Sequence, residues 1–196
     1  MKHHHFNILE TMKMEDGKIP LWSFHKERLE VACRHFNYPI THWETLWDDK
    51  QGNHKVRLLV GKDASAVEFH TLPDKPIEKV TIDVMHTETN EFTKYKTTHR
   101  YLYVQALDRH PSYDDVILWN QDDFVLETTL SNIILEGKDG KWYTPDFSFG
   151  QLIGVYLKYL MTTREIIQAK ILYSDLHNYK IYCCNAVRGV YEVTLE

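Results

Sequence analysis

The sequence predicts a mixed α+β (α/β) fold in two lobes. Three observations predict it. Most apolar runs are short and alternate with polar residues at the period of a strand. Only three segments carry helical spacing. Pro73, Pro76 and the polar stretch 86–92 interrupt the pattern near the middle of the 196-residue chain. That break separates a small N-terminal α/β domain at residues 1–88 from a C-terminal domain at residues 89–196.

Taken in order, Phe6 to Met14 reads as a strand running into Glu15-Asp16-Gly17-Lys18, and Asp-Gly after a strand is a strong hairpin signal. Ser23 to Phe36 has helical periodicity, with Phe24, Leu29, Ala32, Cys33 and Phe36 on one face and Ser23 as its cap. Val56–Val60 and Ala64–Leu72 pair around Gly61-Lys62-Asp63, and Val80–Met85 alternates as a further strand. Past the break come a helix at about His99–Asp108, a strand at Val116–Trp119 and a turn at Gln121-Asp122-Asp123. Strands follow at Phe124–Thr128, Asn132–Glu136 and Trp142–Thr144, then a helix at Gln151–Met161. The end is strand-rich, with Glu165–Ile171, Ile181–Cys184 and Val190–Leu195.

Composition narrows the class. Apolar residues make up 43% and charged residues 26%, enough to bury a core and outweigh the ordering entropy. Net charge is −5, which argues against binding nucleic-acid phosphate non-specifically. No apolar run reaches the ~20 residues of a membrane span, and Met1-Lys2-His3-His4-His5 lacks the apolar core of a signal peptide. Cys33, Cys183 and Cys184 are too few for a disulfide framework and form no CxxC, so a cytoplasmic protein is expected. The 12 histidines scatter, and the run His3–His5 reads as a solvated tract, so no metal site is expected.

No glycine-rich nucleotide loop, HExxH or GxSxG is present. Three local features stand out. Glu127-Thr128-Thr129-Leu130-Ser131-Asn132 sets an acid before hydroxyl and amide groups between two apolar strands; a strand end with local side-chain caps is the ordinary account of such a tract. Ile153-Gly154-Val155 opens an apolar helix, where N–H groups can hold a phosphate or the glycine can simply pack closely. Lys96 lies in Tyr95-Lys96-Thr97-Thr98-His99-Arg100, and a lone lysine is usually solvated.

In order along the chain these fragments resemble one family. Leu9-Glu10-Thr11-Met12 with its Asp16-Gly17 hairpin is similar to a lyase-type opening, and His25-Lys26-Glu27-Arg28-Leu29 to an HxxRL helix. Lys96-Thr97-Thr98-His99-Arg100 resembles a K-T-x-x-R segment, and Glu127 to Ile133 the E-x-x-x-S-N-I/L signature. Tyr143-Thr144-Pro145 with Leu152-Ile153-Gly154-Val155, and then Asn185-Ala186-Val187-Arg188-Gly189-Val190, complete the resemblance over nearly the whole chain. The family is the fold-type IV (class IV) pyridoxal-phosphate enzymes, which includes branched-chain and D-amino-acid aminotransferases and 4-amino-4-deoxychorismate lyase. Two departures are visible: the usual strand before the Glu10-Thr11 motif is missing, and Ile153 stands where proline is frequent.

The resemblance implies a two-lobed D-amino-acid aminotransferase-like fold, a cofactor between lobes and a homodimer. It implies that Lys96 carries the Schiff base with pyridoxal 5'-phosphate and moves protons, a task that suits an amine of tunable basicity. Glu127 would face the ring nitrogen and keep it protonated. Arg28 would clamp the phosphate, with Gly154, the N–H groups of Val155 and Tyr156, and Asn185 completing the cradle. Tyr101 would reach the cofactor hydroxyl. Arg57, Arg100 and Arg188 are candidates for a substrate carboxylate, although Arg57 reads equally as an exposed strand charge. Thr11 would reach the active site from the first strand, and His25 would support the Arg28 helix. The substrate expected is a small amine or amino acid. The opening strand, the Lys96 segment and the Asn185 ending favour 4-amino-4-deoxychorismate lyase, giving 4-aminobenzoate and pyruvate for folate biosynthesis. An aminotransferase of branched-chain or D-amino acids with a 2-oxo acid acceptor is the alternative, favoured by Arg57 and Tyr101. A cofactor-binding relative without turnover is the third.

Overall fold

A computed structural model describes residues 6–196. The run His3–His5 lies outside the described residues. The chain forms two compact units: Met1–Asp74 with Tyr95–His99, and Lys75–Lys94 with Arg100–Glu196.

In the first unit, strand β1 (Ile8–Met14), helix α1 (Trp22–Phe36), β2 (His54–Val60) and β3 (Ser65–His70) follow one another. The three strands make an antiparallel sheet in the order β1-β2-β3. Side chains alternate across a strand. Ile8, Met12 and Met14 therefore share one buried face with Val56, Leu58 and Val60, against which α1 sets Leu29, Ala32 and Cys33. The Asp16-Gly17 turn forms as the sequence predicts. Both residues take positive φ, 47° and 77°, and Glu15 and Lys18 exchange backbone bonds of 2.8 and 2.9 Å.

Ser23 is not the cap of α1. The helix starts one residue earlier and Leu21 holds the cap position without a side-chain bond. The leading turn is closed by backbone instead, Trp22 N–H to Ile19 and His25 N–H to Leu21. At the other end Asn37 takes the left-handed conformation at φ 57°, and Tyr38 N–H returns to the Cys33 carbonyl at 2.8 Å.

Residues 95–99 join this unit through the free edge of β1. Ile8 and Thr97 form an antiparallel bridge, Leu9 N–H donates to the Lys96 carbonyl at 2.9 Å, and Thr98 N–H donates to Asn7 at 2.8 Å.

The second unit holds β4 (Lys79–Ile82), α2 (Glu91–Lys94), α3 (Tyr101–Arg109), β5 (Asp115–Trp119), β6 (Val125–Thr128) and β7 (Asn132–Glu136). It continues through β8 (Trp142–Pro145), α4 (Val155–Thr163), β9 (Ile167–Ala169), β10 (Lys180–Asn185) and β11 (Gly189–Leu195). Its eight strands run in the order β6-β5-β4-β11-β10-β7-β8-β9, with β4 parallel to both β11 and β5. The sheet curls until its ends meet: Phe124 bridges Leu172, and Val125 N–H donates to Ile171 at 2.9 Å. Closure removes the two edges that would otherwise be left open. Val80, Ile117, Val125, Ile133, Leu135, Ile181 and Val193 fill the interior.

A division after residue 88 is expected from the sequence, yet β4 lies inside the second sheet and takes residues 75–94 with it. Three boundaries also move. The strand expected to reach Met85 ends at Ile82. The helix expected from His99 starts at Tyr101, and that expected from Gln151 starts at Val155.

Candidate active site

In the first unit the residues of interest lie on the sheet and on α1. Glu10 projects from the core face of β1 and is 1% exposed. A bare carboxylate there would be costly. Arg28 and His25, three residues apart on α1, both answer it. Arg28 Nε donates to Oε1 at 2.8 Å, Arg28 Nη2 donates to Oε2 at 2.5 Å, and His25 Nδ1 bonds Oε2 at 2.7 Å. Burial pushes the Glu10 carboxyl up, but the Arg28 charge and the His25 bond outweigh it and hold it at about 2. The same burial, with the charges of Arg28 and Lys96, keeps His25 below its ordinary range. Nδ1 is therefore the donor and His25 is neutral. Its expected support of the Arg28 helix thus takes a concrete form, a shared carboxylate. Arg28, expected at the cofactor phosphate, has its guanidinium fork turned onto Glu10.

Thr11 and Arg57 sit opposite each other in the β1–β2 register, and Glu68 sits opposite Arg57 on β3. Arg57 donates to Glu68 at 2.7 Å. Lys96 is half-buried and lies across from Leu9 on the returning segment.

In the second unit the Glu127 tract and the C-terminal motif meet on neighbouring strands, with Asn132 opposite Cys184 in the β7–β10 register. Glu127 is buried on β6, and Tyr103 of α3 donates its hydroxyl to Oε1 at 2.8 Å. Leu152 N–H reaches the same oxygen at 3.4 Å. Tyr101, expected at the cofactor hydroxyl, does not share this carboxylate. Two positions apart on a helix means different faces: Tyr101 is 67% exposed and accepts from Gln105 at 2.7 Å. Arg100 donates to the Thr129 carbonyl at 2.5 Å, and its guanidinium lies 4.4 Å from the Tyr103 ring centre.

Asn132 fixes the segment before α4. Its Nδ2 donates to the Leu152 carbonyl at 2.7 Å and its Oδ1 accepts from Gly154 N–H at 2.8 Å. Gly154 is needed for a steric reason, since a Cβ there would lie 2.0 Å from Asn132 Oδ1. As the cap residue it has no side chain to answer the first-turn amides of Val155 and Tyr156, which carry the positive end of the helix. Asn185, expected at a phosphate, holds the chain turn: it accepts from Val187 and Arg188 N–H at 3.0 and 2.9 Å and donates to Ser131 at 2.9 Å. Arg188 donates to the Lys75 carbonyl at 2.8 Å.

Sequence reasoning assigned no role to Glu10, Tyr103 or Asn132. Glu10 and Asn132 stand inside motifs of the resemblance, but Tyr103 carries no local signal. Among the described residues no group of His, Cys, Asp or Glu could hold a metal ion, and no helix is long and apolar enough to cross a membrane.

The second unit is a curled, closed α+β sheet with a buried carboxylate and a glycine-capped helix, and the first is a three-stranded unit that takes up the lysine segment. The family model described as amino-transferase class IV matches residues 7–195, and the chain belongs to that family. Its members are pyridoxal-phosphate-dependent enzymes. A Schizosaccharomyces pombe protein provisionally named aminodeoxychorismate lyase is 27% identical over 178 residues, 82% of this chain and 75% of that one. A Mesorhizobium loti structure provisionally named an amino-acid aminotransferase shares 21% identity at a TM-score of 0.89, over 97% of this chain and 100% of its own. 4-Amino-4-deoxychorismate lyase of Pseudomonas aeruginosa shares 17% at a TM-score of 0.83, over 96% of this chain and 82% of its own. These two likenesses show the expected fold.

The donor set fits pyridoxal phosphate. Lys96 offers a primary amine to an aldehyde, Glu127 is a buried carboxylate suited to a ring nitrogen, and the start of α4 is suited to a phosphate.

Proposed function

We propose that this enzyme is a 4-amino-4-deoxychorismate lyase that forms 4-aminobenzoate and pyruvate in folate biosynthesis. One observation carries the choice over transamination. Arg57, one of the arginines proposed for an amino-acid carboxylate, is paired with Glu68 at 2.7 Å. An aminotransferase must grip two acids in turn by a carboxylate beside the reacting carbon, whereas the lyase reaction occurs on a ring carbon away from its carboxylates. The fission-yeast relative supports the same choice.

The bound cofactor withdraws electrons from the carbon that carries the substrate nitrogen. Lys96 binds it through Nζ. In the lyase reading Lys96 Nζ then takes the proton from that ring carbon, the bond from the neighbouring ring carbon to the enolpyruvyl oxygen breaks as the ring becomes aromatic, and Lys96 Nζ returns the proton to the methylene carbon of the released enolpyruvate to give pyruvate. Glu127 holds positive charge at the ring nitrogen. The amides of Val155 and Tyr156 behind Gly154 hold the phosphate, while Arg28 holds Glu10 and Asn185 holds the turn at Val187 and Arg188. Arg100 and Arg188 serve the substrate carboxylates and Thr11 serves the reacting centre. The reading carries a cytoplasmic homodimer with it, and Tyr101 and Val104, one turn apart on α3 and both exposed, are apolar surface suited to a subunit contact.

The test is product release. Purified enzyme loaded with pyridoxal phosphate should release 4-aminobenzoate from aminodeoxychorismate, with loss of activity and of the visible cofactor band in Lys96→Ala. Glutamate formed from 2-oxoglutarate and an amino donor, without 4-aminobenzoate, would select the second reading, an aminotransferase, which the family description favours. A protein that takes up no cofactor would remove both.

A further inference from the structure

We propose that Tyr103 is a positioning residue for the carboxylate that meets the cofactor's ring nitrogen. The inference rests on the assignment of Glu127 to that nitrogen and goes beyond it.

Three observations place Tyr103 in this role. Its hydroxyl donates to Glu127 Oε1 at 2.8 Å, and both side chains are buried. Leu152 N–H reaches the same oxygen at the long limit of 3.4 Å, so the phenol is the stronger of these two donors. Arg100 covers the Tyr103 ring at 4.4 Å and is itself tied to the Thr129 carbonyl, two residues beyond Glu127. Arg100, Tyr103 and Glu127 thus form a chain from the start of α3 to β6. A donor on one oxygen narrows the range of orientations open to the carboxyl group. A donor on that oxygen also favours the ionised carboxylate, which is the form that holds a protonated ring. Burial and the neighbouring Glu127 charge push the Tyr103 phenol far up, so it remains a donor throughout the working pH range.

Tyr103→Phe removes the donor and keeps the ring packed. The holoenzyme reconstituted with pyridoxal phosphate is compared with wild type, with Glu127→Gln and with the double variant. Cofactor affinity is read by fluorescence titration, the pH dependence of the cofactor's visible band by spectroscopy, and folding of each apoprotein by its urea midpoint. Tyr103→Phe should weaken pyridoxal phosphate about 10-fold, the scale of a lost bond to a charged group, and shift the midpoint of the band. In the Glu127→Gln background it should cost less than 2-fold, because the partner has already changed. Equal losses in both backgrounds would overturn the proposal in favour of plain packing. An unchanged band and affinity in Tyr103→Phe, with Glu127→Gln impaired, would overturn it as well. If Glu127→Gln itself leaves affinity and band unchanged, the assignment of Glu127 fails first. Should Tyr103→Phe not fold, fluorotyrosine placed at residue 103 keeps the shape and strengthens the donor. It should shift the band midpoint away from the wild-type value, and no shift would overturn the proposal.

Discussion

Glu10 and Arg28 form a two-pronged ion pair between the core face of β1 and the buried side of α1, with His25 bonded to the same carboxylate. The pair links a strand and a helix that also share the apolar core of Met12, Leu29 and Ala32. Removing one member leaves the other charge uncompensated in the interior, at a cost of roughly 3–5 kcal/mol. Glu10→Gln should therefore lower the urea midpoint strongly. Glu10→Gln with Arg28→Gln should cost clearly less than the two single losses added together. Additive losses would show that the two side chains act independently.

The same cluster makes stability depend on pH. Glu10 is held at about 2 against an ordinary 4.5, and His25 is held below its ordinary 6.5. Both groups therefore carry fewer protons folded than unfolded, so stability rises with pH across each window. His25 contributes fully above pH 6.5 and loses that contribution as the pH falls below it. Glu10 contributes about 3 kcal/mol, lost between pH 4.5 and about 2. Urea midpoints from pH 7.5 down to 5 should fall in wild type, and His25→Asn should flatten that slope. An equally steep slope in His25→Asn would assign the dependence to other groups.

Arg57 and Glu68 give a contrasting expectation. Their side chains are 32% and 42% exposed, so solvent screens the pair and its worth is below about 1 kcal/mol. Arg57→Gln should change the urea midpoint little. In the lyase reading it should also leave kcat/KM for aminodeoxychorismate within about 3-fold, since less than about 0.7 kcal/mol is at stake. A loss of 100-fold or more in steady-state kinetics would return Arg57 to the substrate carboxylate and strengthen the aminotransferase reading.

Much of this was legible because local rules and tertiary structure agree. The Asp16-Gly17 turn forms where two adjacent residues tolerating positive φ stand together, and the alternation in β1 places Ile8, Met12 and Met14 inside. The same alternation hides Glu10: a period-two pattern shows that residue 10 faces the core, but its partners come from a helix fifteen and eighteen residues on. The strand expected to reach Met85 overshoots because Val84 and Met85, although apolar, are 70% and 56% exposed beyond the last ladder pair at Ile82. The spacing from Lys96 singles out Tyr101 for the cofactor hydroxyl but says nothing of Tyr103, whose contact with Glu127 is set by the rotation of α3 about its axis. The helix expected from Gln151 starts late because Asn132, twenty residues upstream, captures the backbone at Leu152 and Gly154.

That capture yields a sharp test at Gly154. Its backbone sits at φ −69°, ψ 146°, which alanine adopts without strain. The penalty of Gly154→Ala is therefore steric: the new methyl would meet Asn132 Oδ1 at 2.0 Å, and Asn132 must move. Moving it forfeits the bonds to Gly154 N–H and the Leu152 carbonyl and loosens the entry to α4. A loss of about 1–2 kcal/mol should lower the thermal midpoint by several degrees. Pyridoxal-phosphate affinity should fall at least 10-fold if the start of α4 holds the phosphate. Asn132→Ala should lower affinity by a similar factor, and Gly154→Ala added to it should cost little more, because the obstructing oxygen is gone. Wild-type affinity in Gly154→Ala would mean that the α4 entry is not the phosphate cradle, and a further large loss in the double variant would mean that the glycine serves something other than room for Asn132.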